Sequence, residues 1–139
     1  MADIAVAPPS LRALLARRDL HLLLVVDEHD LAPGSMDRPV RWVHSSDLAD
    51  PTPFLSEGLV LLTTGTQFAD ADAADYRAYV DRLVARGVRA LGFGTEVVRD
   101  GMPSGLVDAC TAARLPLFEV PYRTPFIAVA RAGDRKSVV

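Results

Sequence analysis

Residues 42–65 read WVHSSDLADPTPFLSEGLVLLTTG, and the run Leu59 to Leu62 inside this stretch decides the fold. Four apolar residues without a polar interruption are the pattern of a strand covered on both faces, as in a parallel sheet. Thr63-Thr64-Gly65 is the carboxyl end of that strand. Upstream, Val40 to Val43 reads as a further strand, after which Ser45, Ser46 and Asp47 offer caps for a short helical turn. Asp50-Pro51-Thr52-Pro53 is a stiff connection, because each proline fixes its own φ and pushes its predecessor toward extended geometry. It is expected to deliver Phe54 and Leu55 inward and to end at Gly58.

Working outward, Ser10 caps a first helix carrying Leu11, Leu14 and Leu15 on one face, and a strand follows over Leu22 to Val26. Beyond Gly65, Asp70, Asp72 and Asp75 place negative charge at a helix start. Tyr76, Tyr79, Val80, Leu83, Val84 and Gly87 then keep helical spacing. Ala90 to Phe93 is a strand ending at Gly94, Pro103 opens a helix with Leu106, Val107 and Cys110 on one face, and Leu117 to Val120 is the fifth strand. Phe126 to Ala130 begins a helix packed on the sheet edge. Strand and helix alternating in this way predict an α/β domain with a mainly parallel sheet of about five strands and right-handed crossovers. In outline this is similar to the N-terminal domains of Mur ligases.

The chain has 139 residues, half of them hydrophobic and 24% charged, with a net charge of -3. That is the balance of one soluble globular domain, expected to be cytoplasmic. Leu22 to Val26 is far shorter than the ~20 apolar residues of a membrane span. The start, MADIAVAPPS, lacks the basic and apolar regions of a secretory signal. Arg12, Arg17 and Arg18 form a small early cluster and read as a solvated face, so this chain is not expected to bind nucleic acid directly. The single cysteine, Cys110, excludes an intramolecular disulfide and reads as a small buried hydrophobe. Residues 1–9 are expected to be flexible and residues 10–130 to form the domain. Residues 131–139 are expected to be non-native or disordered, because GDRKSVV drops the apolar spacing and carries the single lysine, Lys136, beside fourteen arginines. The excess of arginine over lysine, with abundant alanine, points to a GC-rich bacterial genome.

Trp42 to Gly65, continued by LGFGTE at residues 91–96 and LPLFEVPYRTPFIAVA at residues 115–130, resembles the N-terminal domain of the PucR-type purine catabolism regulators. These are bacterial transcription factors, and the resemblance spans about Leu11 to Ala130. It implies a regulatory, effector-sensing domain whose ligand is a purine-pathway metabolite. In that family the chain continues through a middle region to a helix-turn-helix, which is expected to be missing here.

The residues themselves offer several chemistries. His44, Ser45, Ser46 and Asp47 suggest a hydrolase, but a working triad converges from separated positions, and no GxSxG elbow exposes a serine. His44, His21 and His29 lack metal-ligand spacing, and no metal is expected. Asp27, Glu28, Asp30 and Asp37 lack the EF-hand alternation. Gly92-Phe93-Gly94 begins a dinucleotide fingerprint that fails at Val97, and no Walker lysine follows Gly65, so no nucleotide cofactor is expected. What survives is the rule that ligands collect at the carboxyl ends of parallel strands. The candidate site is therefore His44 and Ser45, Thr63, Thr64 and Gly65, and Gly94, with Trp42 or Phe93 as a flat face for a planar ligand. Two rival readings stay open: a small hydrolase or transferase using His44 with Asp47 or Glu96, and a ligand-free module that forms a homodimer through Phe126 to Ala130.

Overall fold

In the computed structural model, which describes residues 8–96 and 101–133, the apolar run at Leu59 to Leu62 lies at the heart of a five-stranded sheet. Helix α1 spans Leu11–Leu15, and the strands are β1 (Leu23–Leu24), β2 (Trp42–Ser45), β3 (Leu59–Thr63), β4 (Ala90–Gly94) and β5 (Leu117–Val120). Helices α2 (Ala73–Ala85), α3 (Ser104–Ala113) and α4 (Phe126–Gly133) complete the described α-helices and strands. The strand order is β1-β5-β4-β3-β2. β2, β3, β4 and β5 run parallel, and β1 joins β5 antiparallel. All residues of β3 and β4 are buried, as their unbroken apolar runs demand, whereas the edge strands β1 and β2 are half-exposed.

α2 crosses from β3 to β4 and α3 from β4 to β5, and the two helices pack together. They approach closely at Gly105, where an added Cβ would lie 2.5 Å from the Tyr76 ring. α2 starts with a reciprocal capping box, the Asp72 carboxylate accepting from the Asp75 amide and the Asp75 carboxylate from the Asp72 amide. Tyr76, Tyr79, Val80 and Leu83 face the core, but Val84 is largely exposed, contrary to its place in the expected apolar face. Ser10 caps α1 as expected, accepting from the Ala13 amide at 3.0 Å. α4 sits against β2, where Gly133 lets the helix approach the Val43 side chain.

The expected boundaries fail at the sheet edges. The first strand shrinks from Leu22–Val26 to Leu23 and Leu24, paired with Glu119 and Phe118; beyond them the Val25 and Val26 amides both turn to the one Leu117 carbonyl, at 2.7 and 3.4 Å, and the ladder ends. The second strand shifts from Val40–Val43 to Trp42–Ser45. Val40, fully buried, instead donates its amide to the Pro9 carbonyl at 2.8 Å, beside an isolated bridge between Ser10 and Pro39. No helical turn follows Ser45 to Asp47; a 3₁₀ turn occurs later, at Thr52–Phe54. The proline connection buries Leu55 but leaves Phe54 57% exposed. Gly58, with φ at +86°, ends it. The last helix runs on through Arg131 to Gly133, residues first assigned to the tail. The expectations for residues 1–7 and 134–139 lie outside the described residues.

Candidate functional site

The carboxyl ends of β2, β3, β4 and β5 share one edge of the sheet, since the parallel registers pair Ser45 with Leu62, Thr63 with Phe93 and Gly94 with Val120. Chain leaving β2 and β3 at this edge is tied together by one carboxylate. Asp47 Oδ1 accepts from the Thr63 hydroxyl at 2.7 Å and from the Thr64 amide at 2.7 Å, and Oδ2 accepts from the Thr64 hydroxyl at 2.6 Å. Partial burial pushes the Asp47 carboxyl toward a higher pKa, but these hydrogen bonds outweigh it and hold the group below the usual carboxylate range.

The network continues inward. Gln67 Nε2 donates to the Thr63 hydroxyl oxygen at 2.9 Å and reaches the Tyr79 phenol oxygen at 3.3 Å. Thr63 and Tyr79 are both buried, and burial raises the phenol's pKa. Gly65 follows with φ at +87°, and a Cβ there would lie 2.5 Å from Phe93 Cζ. Glycine is thus required twice, by the left-handed backbone and by the ring beneath it.

Two cavities open along this edge on either side of Phe126, the first residue of α4. One, of about 160 Å³, is lined by Thr64, Gly94, Tyr122, Thr124 and Phe126 among others. The other, of about 320 Å³, lies against His44, Ser45, Leu62, Phe126 and Ile127. The Phe126 ring lies over Gly94, where a Cβ would come within 3.0 Å of it. Thr64 and Gly94 of the candidate site therefore share one cavity, and His44 and Ser45 share its neighbour. Thr63 and Gly65 act behind the wall, as hydrogen-bond hub and turn.

The two aromatic candidates are placed elsewhere. Trp42 pairs in register with Leu59, at the amino end of β2, next to Val43, which lines the larger of the two cavities. It is 54% exposed and donates through Nε1 to Ser56 Oγ at 2.7 Å, so it is neither core nor cavity wall. Phe93 is completely buried beneath Gly65 and offers no face to a ligand. Gly92 likewise has a packing reason, because a Cβ would meet Leu62 and Phe118 at 2.6 Å.

The hydrolase arrangement is not assembled in this geometry. The Asp47 carboxylate is engaged by two threonines, His44 stacks on Phe54 with centroids 6.1 Å apart, and Ser46 Oγ accepts from the Leu48 amide. Among the described residues no group of three His, Cys, Asp or Glu side chains is placed to hold a metal ion. No described helix is long and apolar enough to cross a membrane. Sequence reasoning missed Gln67, Tyr122 and Phe126 as site residues, and saw Asp47 as a helix cap or a catalytic candidate. A pair of threonines closing a buried strand, with a carboxylate after the neighbouring strand, was the available signal.

The profile of the Purine catabolism regulatory protein-like family, PucR, matches residues 13–133. The Transcriptional activator PmfR of Paenarthrobacter nicotinovorans is 26% identical over 98 residues, covering 70% of this chain and 21% of that protein. The chain thus spans about a fifth of the length of this relative.

Proposed function

The chain belongs to the Purine catabolism regulatory protein-like family, and from that premise we propose that it is the effector-sensing domain of a bacterial transcriptional regulator, without catalytic activity of its own. DNA recognition is assigned to another part of the regulator, and the domain works in the cytoplasm. The effector is a small purine-pathway metabolite held at the carboxyl edge of the sheet. The observation that carries this reading is the pair of cavities meeting at Phe126, in the position where parallel sheets collect ligands. Thr64, Ser45 and His44 supply polar groups, and Phe126 supplies the flat face first sought in Trp42 or Phe93.

Phe126 also begins α4, which is seated on β2. A ligand beside this ring would bias the seat of α4, and regulation follows if the ligand binds the two seats with different affinity. Isothermal titration calorimetry with uric acid, xanthine and allantoin tests the reading. One of them is expected to give saturable heat that Thr64→Val weakens. The alternative, a homodimerisation module, is favoured by the exposure of Ile127 and Tyr122, at 60% and 70%. No heat with any of these compounds, together with a dimer by analytical ultracentrifugation that Ile127→Asp dissociates, would replace the first reading with the second.

A further inference from the structure

At the opposite, amino edge of the sheet lies a cavity of about 420 Å³ whose wall includes Arg38, Glu57, Arg86, Gly87, Arg89 and Leu115. Arg89 immediately precedes β4 and is only 8% exposed. Its Nε donates to the Pro39 carbonyl at 2.8 Å, which fixes the plane of the guanidinium. The two terminal nitrogens, with four N–H groups between them, have no protein acceptor among the described residues. The guanidinium is part-buried, and withdrawing it from bulk water costs more the fewer of its donors and the less of its charge are met.

The surroundings make the charge worse. Arg38, Arg41, Arg86 and Arg89 gather here, and none of them forms an ion pair among the described residues. Burial first, then repulsion from Arg38, lowers the Arg89 pKa; Glu57 pulls the other way, and Arg41 adds a smaller repulsion. Arg86 already donates one Nη to the Thr52 carbonyl at 3.0 Å, which holds it in place. The carboxyl end of α2 also reaches this wall and would repel an anion. Its Leu83 and Val84 carbonyls, however, already accept from the Arg86, Gly87 and Val88 amides. The balance is three cavity-lining guanidiniums, with Arg41 nearby, against the single carboxylate of Glu57.

We propose that this cavity binds a small-molecule oxyanion, a carboxylate or phosphate group, with the two terminal nitrogens of Arg89 as a bidentate floor and Arg38 and Arg86 at the rim. A volume of this size suits a small metabolite, and the fork of an arginine matches a planar pair of anionic oxygens. The site does not depend on the effector reading at the carboxyl edge.

Calorimetry on the 139-residue chain with inorganic phosphate and with malonate, at ionic strength held constant with sodium chloride, tests it and separates the two anion classes. At least one anion is expected to bind saturably. Arg38→Ala, at an exposed position, is expected to weaken binding about tenfold. Arg89→Lys keeps the charge but loses the fork and is expected to weaken binding at least as much. Thr64→Val should leave it unchanged. Absence of saturable heat with either anion on a folded sample, or wild-type binding by Arg38→Ala, would overturn the proposal. If Arg89→Lys fails to fold, by circular dichroism, the Arg38→Ala result decides.

Discussion

Replacing Asp47 tests whether one carboxylate fastens the loop after β2 to the end of β3. Asp47→Ala removes three hydrogen bonds of 2.6–2.7 Å, two from hydroxyls and one from the Thr64 amide. Bonds to a charged acceptor contribute ~1.5–3 kcal/mol each when buried, but Asp47 and Thr64 are reached by solvent and water replaces much of what is lost. The buried Thr63 hydroxyl is not orphaned, since the Gln67 side chain remains within reach. A loss of ~2–3 kcal/mol at pH 7 is therefore expected, against ~1 kcal/mol for Asp47→Asn, whose carbonyl oxygen keeps two of the three donors. The pH dependence has a definite sign. Because the folded-state pKa of Asp47 is lowered, its contribution is full above the unfolded value of about 4 and is lost as pH falls through the folded value. Urea unfolding of wild type and Asp47→Ala at several pH values measures it, and the gap between the two proteins should narrow below about pH 4. Comparing the two proteins matters, because Asp19, Glu28 and Asp50 also have lowered pKa values and weaken both chains in acid. A loss under about 0.5 kcal/mol at pH 7, or a gap equally wide at pH 3, would refute the assignment.

Three further outcomes are expected. Gly92→Ala inserts a methyl at 2.6 Å from Leu62 and Phe118 and should cost ~1–3 kcal/mol by overpacking, a fall in melting temperature of roughly 3 °C per kcal/mol in a thermal melt. Asp72→Ala breaks the capping box of α2 and should cost ~1 kcal/mol in urea unfolding, with little change at the carboxyl-edge cavities. The Cys110 thiol, fully buried with its pKa pushed up to about 12, should react with a thiol reagent at pH 8 only through opening of the fold. Labelling at least about a hundredfold slower than for free cysteine is expected, rising to the free rate in urea.

Legibility followed burial. β3, β4 and β5 stand where their apolar runs placed them, because a central strand covered on both faces needs no partner-specific information to be recognised. α2 was legible for the same kind of reason, its period and its acidic start agreeing. The edge strands were not: Leu22 to Val26 is as apolar as β3, yet only Leu23 and Leu24 form a ladder with β5, while the Val25 and Val26 amides converge on the single Leu117 carbonyl. Trp42 shows the same limit at the level of the site. Its type suggested core or cavity wall, while the fold leaves it exposed at the amino end of β2 with its indole donating to Ser56.

The sequence alone determined that this chain is an α/β domain with a parallel core, that its strand ends carry small and polar residues, and which family it resembles. These follow from local periodicity and from motifs read in order along the chain. Only the tertiary structure decided that Asp47 reaches across to Thr63 and Thr64, that Phe126 lies over Gly94, and that Arg89 is held by Pro39 with no acceptor for its terminal nitrogens among the described residues. Each of these joins residues 16 to 50 positions apart, or a residue to the space left around it, and strand order and register set such distances.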